Sequence, residues 1–211
     1  MDFIFDPSLA FYAPLYEADG GSFKSRDAYG HLCTVSGALW RPDGRNFDGV
    51  DDKINLPDAP ALSPPSQITL EAWFKPSQTA AIGRIVSRFP SDYHGWSMYH
   101  STTIGFQLYA GGSLGGAASA ANTIAQGVWH HSVCTYDGAN MTVYVNANVS
   151  GSPLAKTGSI AYTALQPAIG LDNNVNWQAF NGTIGEVRIY NRALSALEVQ
   201  RNYLATKWRY Q

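Results

Sequence analysis

From residue 68 to residue 190 the sequence is a succession of short runs rich in β-branched and aromatic residues, each closed by glycine, proline, asparagine or aspartate. Runs this short and this often interrupted read as strands rather than helices. Residues 68–74 (ITLEAWF) lie between Pro64-Pro65 and Pro76, and 96–99 (WSMY) follow a glycine. Residues 104–109 (IGFQLY) alternate apolar with polar or small side chains, the period of a half-buried strand. The strongest hairpin joins 128–136 to 141–145 through the turn Asp137-Gly138-Ala139-Asn140. Residues 168–170 and 182–190 add two more strands. A helix is signalled once. Ser195 is a good N-cap, Glu198 three residues later completes a capping box, and Leu194 with Val199 offers a hydrophobic staple. The spacing predicts a helix over about 196–205, with Val199 and Tyr203 on one face. The small-residue tract 110–121 (AGGSLGGAASAA) lacks the lysine of a phosphate loop and reads as a flexible connection between strands. The whole pattern indicates an all-β chain, an antiparallel β-sandwich or jelly roll with one short C-terminal helix.

Composition narrows the function classes. Of 211 residues, 45% are hydrophobic and 14% charged, against about 25% charged in an average soluble domain. That rules out a disordered chain. With 14 basic and 16 acidic residues the formal charge is −2, which argues against a basic nucleic-acid surface. The length fits one large all-β domain over 1–211. Residues 1–15 have neither a basic n-region nor a continuous apolar h-region, so the chain reads as lacking a signal peptide. No apolar run approaches the roughly 20 residues of a membrane span. Cys33 and Cys134 lack metal or redox spacing and are either two buried thiols or one disulfide.

Four segments, FDGVDDKINLP (47–57), ITLEAWFKP (68–76), WHHSVCTYDGANMTVYVN (129–146) and FNGTIGEVRIYNRALSALEVQ (180–200), occur in that order. They resemble the laminin-G-like, pentraxin-like branch of the concanavalin A-like lectin and glucanase superfamily. The resemblance implies a two-sheet jelly roll with a motif-bearing core over 47–200, and a module that binds glycans or protein surfaces. Residues 1–46 resemble, more loosely, the opening of similar modules in phage structural proteins. A first strand near 9–15 is expected to pair with the last strand, and 201–211 form the helix end and tail.

Glucanases share this superfamily, so catalysis needs its own test. Retaining hydrolysis requires two carboxylates about 5–5.5 Å apart, which one strand supplies through acids at alternating positions. None of the 16 acidic residues completes the E-x-D-x-x-E pattern of such a strand: Asp51 and Asp52 are adjacent, and Glu71 and Glu186 each stand alone in apolar strands. The one G-x-S-x-G string, Gly111 to Gly115, lies in the small-residue tract 110–121, where no helix signal follows to make a nucleophile elbow. The chain reads as non-catalytic, with a glucanase-like hydrolase the least favoured alternative.

Three candidate sites follow. The turn Asp48-Gly49-Val50-Asp51-Asp52 offers carboxylates and turn carbonyls to Ca²⁺, which takes six to eight oxygens. Related modules carry a structural calcium, and the resemblance places Asp48, Asp51 and Glu186 at motif positions as ligands. The competing reading has Asp48 capping a turn, Asp51 and Asp52 solvated, and Glu186 paired with Arg188; the family's acidic residue is replaced by Gly185. The loop 172–178 brings Asn173, Asn174, Asn176 and Trp177 together, planar amides and an aromatic face suited to sugar hydroxyls and ring C–H groups. Tyr93 and His94 form a second aromatic-polar cluster. The competing reading makes both loops ordinary connections, with Trp177 folded back onto the core. His130 and His131 point to opposite faces of a strand and are read as structural, as are Trp73, Trp129 and Tyr144. The expected function is an adhesion or glycan-binding module at a virion or extracellular surface. The alternative is a decoration or assembly protein that binds capsid, tail or filament protein. The partner is a glycan or a surface protein, with no nucleic acid and no membrane insertion; an oligomer is compatible with the sequence.

Overall fold

The computed structural model describes residues 6–89, 92–173 and 178–211. The chain runs β1 (Leu9–Pro14), β2 (Ser22–Lys24), β3 (Leu32–Ser36), β4 (Leu39–Arg41), β5 (Gly44–Asp48), β6 (Lys53–Asn55), β7 (Ile68–Pro76), β8 (Gly83–Arg88) and β9 (Trp96–His100). It continues with β10 (Ile104–Ala110), β11 (Ser113–Ala118), β12 (His130–Tyr136), β13 (Asn140–Val145), β14 (Asn148–Val149), β15 (Leu154–Ala155), β16 (Ala168–Ile169), β17 (Asn181–Tyr190) and α1 (Ala196–Thr206). Two antiparallel sheets stack as a jelly-roll sandwich. The first has the order β14-β13-β12-β7-β17-β5-β4, with β1 beside β17 and β15 beside β13. The second has the order β11-β10-β9-β8-β16-β6-β3-β2.

β17 organises the first sheet. One edge runs along β7; the other pairs with β5 through 181–184 and with β1 further on. The register Leu9↔Tyr190 to Pro14↔Glu186 joins the first strand to the last, as the sequence implied. Phe11, Phe47, Phe74, Trp96, Phe106 and Phe180 are fully buried between the sheets. The alternation in β10 resolves as expected: Ile104, Phe106 and Leu108 enter the core, while Gln107 and Tyr109 face outward and stay half-buried.

A second apolar cluster (Leu9, Tyr12, Val133, Tyr144, Tyr190, Leu194 and Val199) lies on the far side of the first sheet, where α1 covers it. The capping box forms: the Ser195 hydroxyl accepts from the Glu198 amide, and the Glu198 carboxylate accepts from the Ser195 amide at 2.8 Å. Such a cap contributes about 1 kcal/mol.

Several strands escaped the sequence reading, among them β2 to β6, β8 and β11. The tract 110–121, read as a flexible connection, contains β11. Gly111 and Gly112 take φ of 56° and 79° and make a tight turn, and β11 then pairs with β10 from Ser113 to Ala118. Small side chains suffice because Gly115 and Ala117 face inward, and a Cβ on Gly115 would lie 3.0 Å from Met141 Sδ. β8 (GRIVSR) shows no alternation because a bulge between Arg84 and Val86 sends both Ile85 and Val86 into the core. Cys33 and Cys134 are free and buried, and burial pushes the Cys33 thiol up to about 12. No described helix is long and apolar enough to cross a membrane.

Candidate functional site

The two acidic residues that stand alone in sequence meet in space. Arg188 on β17 lies opposite Glu71 on β7 and donates to its Oε1 at 2.7 Å. The same guanidinium reaches Glu186 at 3.0 Å. His131 Nε2 lies 3.0 Å from Glu71 Oε1, Asn202 of α1 donates to Glu71 Oε2 at 2.9 Å, and the Tyr12 hydroxyl donates to Glu186 at 3.2 Å. Glu71, His131 and Arg188 have no exposed surface and Glu186 retains 1%. Burial raises the Glu71 carboxyl, but Arg188, His131 and Asn202 outweigh it and hold it at about 2. Burial also raises Glu186, and Glu71 adds to that rise against the pull of Arg188. Two carboxylates sealed under a helix and held by one arginine have no route to a glycosidic bond; the arrangement fastens α1 to the sheet.

This packing corrects the calcium expectation at Glu186. Its strand position lies five residues beyond Asn181, the partner of Asp48, so roughly 16 Å of strand separates it from the acidic turn. Gly185 has no room for an acidic side chain, since a Cβ there would meet the Tyr210 ring at 2.4 Å. What remains is Asp48, Asp51 and Asp52, whose ligand atoms lie within 4.8 Å of one another. Asp48 Oδ1 accepts from the Val50 amide and Asp52 Oδ2 from the Asp48 amide, both at 2.8 Å. Asp52 is buried rather than solvated, and burial, together with Asp48 and Asp51, raises its carboxyl above the ordinary value. Each carboxylate keeps a second oxygen, a donor set that fits part of calcium's six to eight.

The outward face of the second sheet gathers the other candidates. Its floor is β8, β9, β10 and β11. Arg84 lies opposite Tyr99, which lies opposite Gly105; Ser87, Ser97, Gln107 and Gly116 form the next row. A Cβ on Gly105 would fall 2.0 Å from Tyr99 Cζ, so the Tyr99 ring lies flat over the sheet. Arg84 Nη1 donates to Ser97 Oγ at 2.7 Å and to Gln107 Oε1 at 2.9 Å. Its guanidinium sits between the Phe89 and Tyr99 rings, at 5.4 and 5.2 Å. Beyond it, Leu114, Gly116 and Ala118 of β11 are exposed.

Both loops singled out in the sequence are anchored at this face. His94 packs on the Tyr109 ring at 4.1 Å, and its Nδ1 lies 3.2 Å from Asp92 Oδ1. Tyr93, at φ 66° and 56% exposed, contacts Phe89 at 5.8 Å. Asp172 accepts from Ser87 at 3.2 Å, and the Arg84 amide donates to the Gln178 carbonyl at 2.8 Å. Asn173 donates to the Gln166 carbonyl at 3.0 Å. Asn174, Asn176 and Trp177 lie outside the described residues. The sequence reading missed Arg84, Tyr99, Gln107 and Tyr109. The signal available was the polar half of the alternation in IGFQLY.

A separate groove of about 520 Å³ lies at Tyr12, Pro14, Tyr16, Glu17 and Arg26. Arg26 and Glu17 pair there at 3.5 Å, and Arg209 lies 3.8 Å over the Tyr16 ring. Its charges are already matched within the protein.

Comparisons with solved structures return the same sandwich. The binding domain of Paraclostridial Mosquitocidal Protein 1 superposes with a TM-score of 0.75 at 14% identity, covering 94% of this chain and 52% of that one. The ligand-binding domain of botulinum neurotoxin serotype D, solved in complex with N-acetylneuraminic acid, gives 0.70 at 14% identity, covering 94% and 51%. The receptor-binding domain of botulinum neurotoxin type G gives 0.71 at 16% identity, covering 94% and 51%. This chain therefore spans about half the length of the structures it matches, and the likeness is one of fold. No curated protein matches the sequence. Residues 48–200, well over half of the chain, match the Laminin_G_3 family, and the chain belongs to that family of the concanavalin A-like lectin/glucanases superfamily.

Proposed function

We propose that this protein is a non-catalytic adhesion module that binds glycans on the outward face of its second sheet. The observation that carries the reading is the Tyr99 ring laid flat over Gly105, beside the Gln107 amide and the His94–Tyr109 pair, all partly exposed. An aromatic face covers the C–H side of a sugar ring while a planar amide bonds its hydroxyls. Tyr93 and Asn173 flank this face, and Asn174, Asn176 and Trp177 belong to the same proposal through the sequence of their loop. Relatives in fold that are themselves binding domains, one solved with N-acetylneuraminic acid, support binding over chemistry. The burial of Glu71 and Glu186 supports it too.

The test is a glycan array with the wild-type protein and a Gln107→Ala/Tyr109→Ala variant. One defined class of glycan should bind, and the variant should bind it at least about tenfold more weakly, a loss of about 1.4 kcal/mol, with its Tm retained. No glycan bound, or undiminished binding by the variant, overturns the reading. A second reading, docking to a capsid, tail or filament protein, draws on the exposed Leu197, Leu204 and Trp208 along α1 and its tail. In that case the variant leaves function intact and substitutions on α1 abolish it. Display on a virion is part of the proposal and rests on the resemblance of residues 1–46 to phage structural modules.

The acidic turn is where calcium enters this proposal, with Asp48, Asp51 and Asp52 as the residues that would hold it. Calcium added to chelator-treated protein should then raise the Tm; saturation at a hundred times Kd stabilises by about 2.7 kcal/mol. An unchanged Tm leaves the turn held by its own hydrogen bonds.

A further inference from the structure

We infer that the outward face of the second sheet selects anionic sugars and that Arg84 is the residue that reads the acid group; this rests on the glycan-binding reading above. Four arginines are buried: Arg45, Arg84, Arg88 and Arg188. Three have their charge or donors matched. Arg188 has Glu71 and Glu186, Arg88 has Asp58 at 2.8 Å, and Arg45 donates to the carbonyls of Ala18, Gly20 and Ala38. Arg84 differs. It is 6% exposed, and among the described residues no carboxylate lies within ion-pair distance of it. Its acceptors are the neutral oxygens of Ser97 and Gln107, both at Nη1; its Nε has no partner, as in Arg88, but Arg88 has the Asp58 carboxylate and Arg84 has none. Asp172, the acid that influences it, is held by Ser87.

A buried cation without a counter-charge is costly to keep. Burial accordingly lowers the Arg84 pKa against the opposing influence of Asp172 and Tyr99. An anion arriving at this face would supply the missing charge. The guanidinium is suited to a planar acid group because its fork matches a carboxylate or sulfate bidentately. Here Ser97, Gln107 and the two flanking rings fix its plane in advance, so little ordering remains for the ligand to impose. Gln107 links the two functions, since its Oε1 orients Arg84 while its amide nitrogen stays available to a sugar hydroxyl.

The experiment titrates the full chain with four probes: a trisaccharide ending in N-acetylneuraminic acid, its carboxyl methyl ester, the neutral disaccharide and a sulfated disaccharide. At least one acidic sugar should bind tenfold or more tightly than the neutral one. The ester should fall to the neutral level if the carboxylate is read, and preference for the sulfated probe alone assigns sulfate as the acid group. Arg84→Gln should erase the preference, and Arg84→Lys should restore it only in part, since lysine keeps the charge without the fork. The ester and neutral arms decide the matter on wild-type protein even if Arg84→Gln does not fold. Equal binding of acidic, esterified and neutral sugars overturns the inference and leaves the glycan reading standing. Binding of none of the four, with an empty glycan array, brings both down.

Discussion

Replacing Arg188 by methionine is expected to destabilise this domain by about 3–5 kcal/mol, the range for breaking a buried ion pair from one side. The cause is what the substitution leaves behind. Glu71 and Glu186 would remain under α1 with 0% and 1% exposure, without the cation that touches both. Methionine restores packing volume and nothing else, so the loss reports charge rather than a cavity. Because Glu186 is already raised by burial and by Glu71, protonation should relieve part of the damage. The gap between variant and wild type should therefore narrow as the pH is lowered. Exchanging Glu71, Glu186 and Arg188 together for apolar residues should recover much of the stability, as removing a whole buried charge group does elsewhere. Urea midpoints at pH 7 measure the first effect, and a loss under about 1 kcal/mol would contradict this account of the network.

Acid should weaken the fold in two steps with different owners. His100 packs among Phe74, Phe180 and Gly83. Burial, with a smaller contribution from His130 and against a bond to the Ser101 carbonyl, lowers it from 6.5 to about 4. The unfolded chain then binds more protons than the folded one between those values, so stability falls as pH falls through that window. The full effect is on the order of 3 kcal/mol. Glu71, held at about 2 against 4.5 when free, contributes stability that is present above 4.5 and lost as pH falls towards 2. Glu186 is shifted the other way and offsets part of that second step. Unfolding free energies measured from pH 7 to 4.5 report the histidine arm, and His100→Leu should reduce its slope, the remainder belonging to His130, which burial also lowers. A wild-type profile already flat over that interval would contradict the placement of His100.

The fold was legible because its signals are local. The capping box at Ser195 and Glu198, the turn after Asp137 and the alternation in 104–109 each depend on a few adjacent residues. β11 was hidden because glycine and alanine lack the bulk that marks a strand, and β8 because its bulge breaks the period. The candidate site was legible only at its rim. Tyr93, His94 and Asn173 sit in loops, where polar and aromatic residues draw notice. Arg84, Tyr99, Gln107 and Tyr109 lie inside strands and read as structure until the register sets them side by side. Glu186 shows the converse, its two sequence readings being a calcium ligand and the partner of Arg188. A motif likeness placed it with Asp48, whereas strand geometry carries it away and pairs it with Arg188. Cross-strand neighbours such as Glu71 and Arg188, 117 positions apart in sequence, leave no local trace.

If the outward face of the second sheet binds sugar, the footprint of a bound glycan reports it most directly. Amide chemical-shift changes on titration should cluster at Arg84, Ser97, Tyr99, Gln107 and Tyr109, with Tyr93 and His94 at the rim. Changes confined to the groove at Tyr12, Tyr16, Glu17 and Arg26, or to the outer side of α1, would contradict it.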